Sequence, residues 1–86
     1  MPPAMLRFER EIDHAGFELD SMEREREHMR LEWERIRNLP EKATVAERLY
    51  REIEEKSYEI DNFKSEIDLL MTKRDEERAR QNRKSR

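Results

Sequence analysis

The sequence contains no cysteine, one glycine and three prolines among 86 residues. Without cysteine the chain has neither a disulfide nor a thiolate metal site, which is compatible with a reducing compartment. No run approaches the ~18 consecutive apolar residues of a transmembrane helix. The first residues also lack the basic and apolar regions of a signal peptide. We therefore expect an intracellular protein, cytoplasmic or nuclear and associated with the cytoskeleton, without a membrane partner.

Apolar residues are scarce as well, at 34% against 48% charged residues. A globular core made by one chain is not expected at this size and composition. The charge is uneven: residues 1–77 hold 14 basic and all 22 acidic residues, a net charge of −8, whereas residues 78–86 hold five basic residues and no acid. The chain ends inside this charged run, which is typical of a segment of a larger protein.

The residue types that carry catalysis do not form a recognisable site. His14 and His28 lie two heptads apart, roughly 20 Å along a helix, so they cannot share a metal ion. The sequence has no glycine loop for phosphate and no zinc-ligand spacing. Carboxylates are abundant, but no concave site is expected that would shift their pKa values. We predict that the chain is not an enzyme, has no catalytic or metal-binding residue and needs no cofactor.

What the sequence does have is a heptad pattern, which divides into two runs. In the first run, residues 5–38, nine of the ten a and d positions are apolar, which is typical of a coiled coil. Arg26 is the exception. A polar residue at such a position fixes the register and oligomeric state of the coiled-coil helices at a cost in stability. The positions are Met5, Phe8, Ile12, Ala15, Leu19, Met22, Arg26, Met29, Trp33 and Ile36.

The second run, residues 44–77, continues the pattern with seven apolar residues out of eight and Lys56 as the polar exception. Its positions are Ala46, Leu49, Ile53, Lys56, Ile60, Phe63, Ile67 and Leu70. We call these 18 positions of the two runs the seam. Hydrophobic pairing should end near Met71, and residues 78–86 should form a basic tail that frays. Residues 1–4 are expected to be a flexible start.

Residues 39–43 interrupt the two runs. Pro40 cannot lie inside a helix without losing a hydrogen bond, and it favours an extended Leu39. Thr44 and Glu47 fit a capping box, in which each side chain bonds a free amide at the helix start. One residue is also missing from the heptad count across the break, which an uninterrupted supercoil absorbs poorly. We predict that the first helix ends near Asn38 and the second begins near Thr44.

Two architectures satisfy this pattern. An antiparallel hairpin within one chain would place Arg26 opposite Lys56 and Leu19 opposite Phe63. It would also bring g positions together in three glutamate pairs: Glu32 with Glu52, Glu25 with Glu59 and Glu18 with Glu66. A parallel, in-register homodimer would instead make three attractive interchain ion pairs: Glu25 with Arg30, Glu32 with Arg37 and Glu59 with Lys64.

These flanking charges favour the parallel dimer, although each exposed pair contributes only a few tenths of a kcal/mol. We therefore predict an all-α fold in which the seam is the dimer core and Pro40 makes a kink in the middle of a rod. At ~1.5 Å per residue the rod would be roughly 110–130 Å long. The antiparallel hairpin is the alternative.

The predicted function follows from this architecture. We expect a dimerisation and spacer module of a larger cytoskeletal, microtubule-associated, centriolar or kinetochore-type scaffold, with its own copy and other scaffold proteins as partners. Dimerisation would double any flanking binding elements and raise their effective concentration. A hairpin adaptor that binds a partner helix is the alternative.

A third hypothesis concerns the basic tail. It could bind tubulin, nucleic acid or another acidic polymer through its positive charge. The residues concerned are Arg78, Arg80, Arg83, Lys84 and Arg86.

Overall fold

The chain forms two long α-helices that are joined by one turn of 3₁₀ helix. The computed structural model describes residues 3–84. Within them α1 spans Pro3–Ile36, the 3₁₀ turn spans Pro40–Lys42 and α2 spans Ala43–Lys84. The all-α class expected from the heptad pattern is confirmed. Of the expected flexible start, residues 1 and 2 lie outside the described part, and Pro3 opens α1.

The connection between the helices is built around Pro40. The amide of Leu39 donates to the carbonyl of Ile36 at 3.0 Å, and the amide of Lys42 donates to the carbonyl of Leu39 at 2.9 Å. Leu39 is extended, with φ −95° and ψ 111°, as a residue before proline should be. Pro40 is the first residue of the 3₁₀ turn, where a helix does not use the missing amide. The first helix therefore ends at Ile36, two residues before the predicted Asn38, and Pro40 opens the 3₁₀ turn.

The start of α2 differs from the predicted capping box. Ala43 already has helical angles, φ −54° and ψ −45°, and its amide donates to the carbonyl of Pro40. Thr44 consequently lies inside the first turn of α2 instead of at its N-cap, and Glu47 lies one turn further on. The reason is that Pro40 begins helical geometry before Thr44 is reached.

The two helices run antiparallel and pack along one another. Residues of increasing number on α1 contact residues of decreasing number on α2. The contacts are Glu9 with Arg74, Arg26 with Ser57 and Trp33 with Tyr50. This is the hairpin of the alternative prediction, one residue from the alignment that places Arg26 opposite Lys56. The molecule is 69 Å long, as expected from the ~63 Å of a 42-residue helix.

The structure is a hairpin, in place of the predicted parallel rod that has a kink at its middle. The chain reverses direction at Leu39–Lys42, and the seam that a parallel dimer would bury between chains is used within one chain. A connection of six residues, 37–42, favours this outcome because closing so short a loop costs little entropy. The glutamate pairs that disfavour the hairpin lie on one side of the helix pair, and ion pairs between the helices lie on the other.

The seam follows the contact between α1 and α2 from Met5 at one end to Leu70 on α2. All 18 seam residues are buried or half-buried, and no other described residue is buried. Ile60 is the only described residue with no solvent exposure, at 0%. The heptad spacing continues past Leu70, since Arg74, Glu77 and Gln81 are also half-buried. The packing strip is therefore narrow and turns polar toward the C-terminal end of α2.

Replacing Ile60 with alanine should destabilise the hairpin most strongly of the seam truncations. We expect Ile60→Ala to lower the free energy of unfolding by about 2–4 kcal/mol, because a fully buried side chain leaves a cavity. Tyr58→Ala is the matched control on the same helix, since Tyr58 is 70% exposed; it should change stability by less than about 0.5 kcal/mol. Urea denaturation followed by circular dichroism measures both, and equal effects would contradict this packing.

Candidate interaction surfaces

Aromatic side chains pack beside the turn. The rings of Trp33 and Tyr50 lie 5.6 Å apart, centroid to centroid, at 47°. The guanidinium of Arg37 lies 5.2 Å from the centre of the Trp33 ring, within the range of a cation–π contact. The turn end therefore gives space to a tryptophan that is large for a coiled-coil core. Arg37 was predicted to bind Glu32 of a second chain, and the structure places it on Trp33 instead.

The two cations of the seam have polar partners on the opposite helix. Arg26 donates a hydrogen bond to the hydroxyl of Ser57 at 3.4 Å. The ammonium of Lys56 lies 3.0 Å from a carboxylate oxygen of Glu25 and 3.8 Å from one of Glu59. Both long side chains reach out of the apolar strip while their stems stay within it. This removes the conflict of two positive charges that face each other across the seam.

Lys56 also removes the strongest objection to the hairpin. Glu25 and Glu59 form one of the three glutamate pairs that antiparallel packing brings together, and Lys56 contacts both carboxylates. The hydrogen bond from Lys56 to Glu25 raises the pKa of Lys56 above its usual value, against the opposing effect of partial burial. The repulsion predicted at this level is thus replaced by a cation shared between two acids.

One long side of the hairpin is lined by acidic g positions. Within α1, the imidazole of His14 lies 2.9 Å from Glu18, and Arg35 lies 2.5 Å from Glu32 and partly compensates its charge. At the open end the corresponding g positions have opposite charges, Glu11 and Lys73, and both line one surface depression. We call the following residues the glutamate face: Glu18, Glu25, Glu32, Glu52, Glu59 and Glu66.

On the opposite long side, acidic e positions of α1 lie beside basic e positions of α2. Arg78 lies 3.6 Å from Glu9, and Lys64 lies 3.7 Å from Glu23. Gly16 lies seven residues from both Glu9 and Glu23, and Met71 lies seven residues from both Lys64 and Arg78, so these two share the same side. We call the following residues the Gly16 face: Glu9, Gly16, Glu23, Tyr50, Lys64, Met71 and Arg78.

The Gly16 face was missed at the sequence level, although its signal was present. Pairing e positions with e positions in an antiparallel frame gives Glu9 with Arg78 and Glu23 with Lys64, and both pairs exist in the structure. Each is partly exposed and worth about 0.2–1 kcal/mol. They add attractive contacts to a flanking charge term that the three glutamate pairs alone make unfavourable.

The residues predicted to pair between chains have partners within their own chain. Arg30 contacts Glu27 and Glu34 at 2.6 Å each, and its hydrogen bond lowers the pKa of Glu27. Glu59 and Glu25 share Lys56, Glu32 is held by Arg35, and Lys64 faces Glu23. The interchain pairs required by the parallel dimer remain predictions for an arrangement that this hairpin does not adopt.

The basic segment near the C-terminus continues α2 as far as Lys84. Two of its arginines are engaged: Arg78 with Glu9 at 3.6 Å and Arg80 with Glu77 at 3.1 Å. Arg83 is exposed. Arg86 and the side chain of Lys84 lie outside the described residues. Part of the positive charge proposed for an acidic partner is therefore used inside the hairpin.

Two absences complete the description of residues 3–84. No group of three histidine or acidic side chains among them could hold a metal ion. Neither α1 nor α2 is apolar enough over its length to cross a membrane.

Removing the shared cation should destabilise the hairpin. We expect Lys56→Gln to lower the free energy of unfolding by about 0.5–1 kcal/mol, because the Glu25–Glu59 pair loses its counter-ion. Arg51→Gln removes the same charge from an exposed position on α2 and should have a smaller effect. The double change Glu25→Gln and Glu59→Gln should restore most of the loss in the Lys56→Gln chain. Urea titrations at low ionic strength measure these differences.

The same contact predicts a pH dependence on the alkaline side. Folding raises the pKa of Lys56 above its usual value of 10.5, so its contribution is complete below that pH and is lost as pH rises through the folded-state pKa. The stability difference between the wild-type chain and Lys56→Gln should therefore be constant from pH 7 to about 10 and shrink above it. A difference that stays constant to pH 11.5 would contradict this.

Comparison with known proteins supplies no further assignment. No protein-family model, no curated protein sequence and no solved structure matches this chain.

Proposed function

We propose that the chain is a helical-hairpin interaction module, which receives partner helices along its seam within a larger assembly. The observation that carries the proposal is the incomplete burial of the seam. Trp33, Leu49 and Phe63 are large apolar side chains between the two helices, yet each remains half-buried. Two helices cover only one side of each other's apolar strip, and bundles of three or four helices cover the rest.

The shape and charge of the hairpin suit a structural role. It is elongated, 69 Å by 15 Å by 12 Å, and 48% of its residues are charged. Such a molecule presents a long, regular surface on which helices can dock by heptad packing. A setting in a cytoskeletal, microtubule-associated, centriolar or kinetochore-type scaffold is part of this proposal.

Photo-crosslinking in cells tests this function. A crosslinking phenylalanine analogue at Phe63, at the edge of the seam, should capture a helical segment of a partner or of a second copy. The same analogue at Tyr58, on the solvent side of α2 and 70% exposed, should capture little. Mass spectrometry identifies the crosslinked peptide. Equal capture at both positions, or none at Phe63, would overturn the proposal.

A further inference from the structure

The Gly16 face contains a vacancy in α1. Gly16 has ordinary helical backbone angles, and apart from its two chain neighbours and the adjacent backbone of α1, no described atom lies within 4 Å of the position that a Cβ would occupy. A shallow concavity forms there, lined by Ile12, Asp13, Gly16, Phe17 and Asp20. Ile12 supplies an apolar floor and Phe17, 77% exposed, an apolar rim. An extra side chain from outside would fit this position without displacing anything.

The same face carries an unpacked side chain at the same height. Met71 lies on α2 between the Glu23–Lys64 and Glu9–Arg78 pairs, which places it level with Gly16 across the hairpin. It remains 37% exposed. Methionine is flexible and fills irregular gaps well. One hairpin therefore has both a concavity, at Gly16, and a protruding side chain, Met71. A second copy could fill the concavity with its own Met71 and receive the first chain's Met71 in return.

Charge complementarity identifies the second copy as the occupant. A two-fold axis parallel to the hairpin's length places each α1 level against the same level of the partner's α2. Glu23 then faces a second Lys64, Glu9 faces a second Arg78, and Gly16 faces a second Met71. Each contact occurs twice, as a two-fold interface requires.

The other ways of joining two copies are less favourable. A two-fold axis perpendicular to the length sets α1 against α1, and when centred at the Glu23–Lys64 level it brings Glu23 against Glu23 and Lys64 against Lys64. Docking two glutamate faces would bring six carboxylates against six, which costs free energy through like-charge repulsion. The Gly16 face is thus the side on which the charges of this chain fit their own copy.

The available area is adequate for a stable interface. A face of 69 Å by 15 Å amounts to an area on the order of 1,000 Å² per chain, compared with ~800 Å² per partner in a standard interface. In the resulting bundle each helix neighbours antiparallel helices, as in up-down four-helix bundles.

We propose that two hairpins associate through their Gly16 faces into an antiparallel four-helix bundle, in which Met71 of each chain enters the concavity at Gly16 of the other. This inference rests on the proposed function and names one partner for it. It differs from the parallel rod, since each chain keeps its hairpin and the seam stays intramolecular.

Sedimentation equilibrium of the whole chain and two matched variants tests the proposal. The wild-type chain should have about twice its 10.7 kDa mass. Met71→Glu places an acid in the interface and should weaken dimerisation at least about tenfold. Leu69→Glu makes the same change at an exposed apolar residue on the other side of α2 and should leave dimerisation unchanged. Circular dichroism checks that both variants remain helical.

A crosslinking experiment tests the orientation. Because the chain has no cysteine, single cysteines report unambiguously. When Gly16→Cys and Met71→Cys chains are mixed and oxidised, a heterodisulfide between the two variants should predominate over either homodisulfide. Predominant homodisulfides would overturn the proposed axis.

The outcomes separate this inference from the function on which it rests. A monomeric wild-type chain, or equal weakening by Met71→Glu and Leu69→Glu, overturns the Gly16-face dimer. If the Phe63 crosslinker still captures a different protein in that case, the interaction module stands with another partner. If Phe63 captures nothing, both proposals fail.

Discussion

Two helices can hide only one narrow strip of each other from water, and every other feature of this hairpin depends on that strip. Each helix contributes a line of a and d side chains, and of the described residues only Ile60, near the middle, is completely enclosed. Hydrophobic burial is the main favourable term in folding, so a chain with so little buried surface relies on its short connection. The 3₁₀ turn at Pro40 makes the pairing of the helices intramolecular, which keeps the entropic cost of pairing low.

Heptad spacing locates a packing strip in the sequence because it directly reflects helix geometry. In the structure the 18 seam positions are buried or half-buried within one chain, whereas the prediction places them between two chains. The position of the break was also predictable, since proline and the residue before it have few allowed conformations. The start of α2 was less so, because a 3₁₀ turn delivers Ala43 in helical geometry and makes the Thr44 cap unnecessary.

The direction of α2 could not be read from the glutamates alone. Three like-charged pairs counted against the hairpin, but Lys56 contacts both acids of the middle pair. The opposite side adds attractive contacts at Glu9 and Glu23. The electrostatic preference for one direction of α2 therefore depends on the charges on both sides of the seam and on the cations inside it. Even then each term is a fraction of a kcal/mol, so loop length and burial contribute as much to the decision.

The hairpin also determines where its two ends lie. The contact between Glu9 and Arg78 joins the start of α1 to the last part of α2, and the turn lies at the far end of a 69 Å molecule. A polypeptide that enters through α1 and leaves through α2 therefore departs close to where it arrived. Such an element can project from a host protein as an arm without separating the host segments on either side, and its turn, with Trp33 and Tyr50, would be the tip.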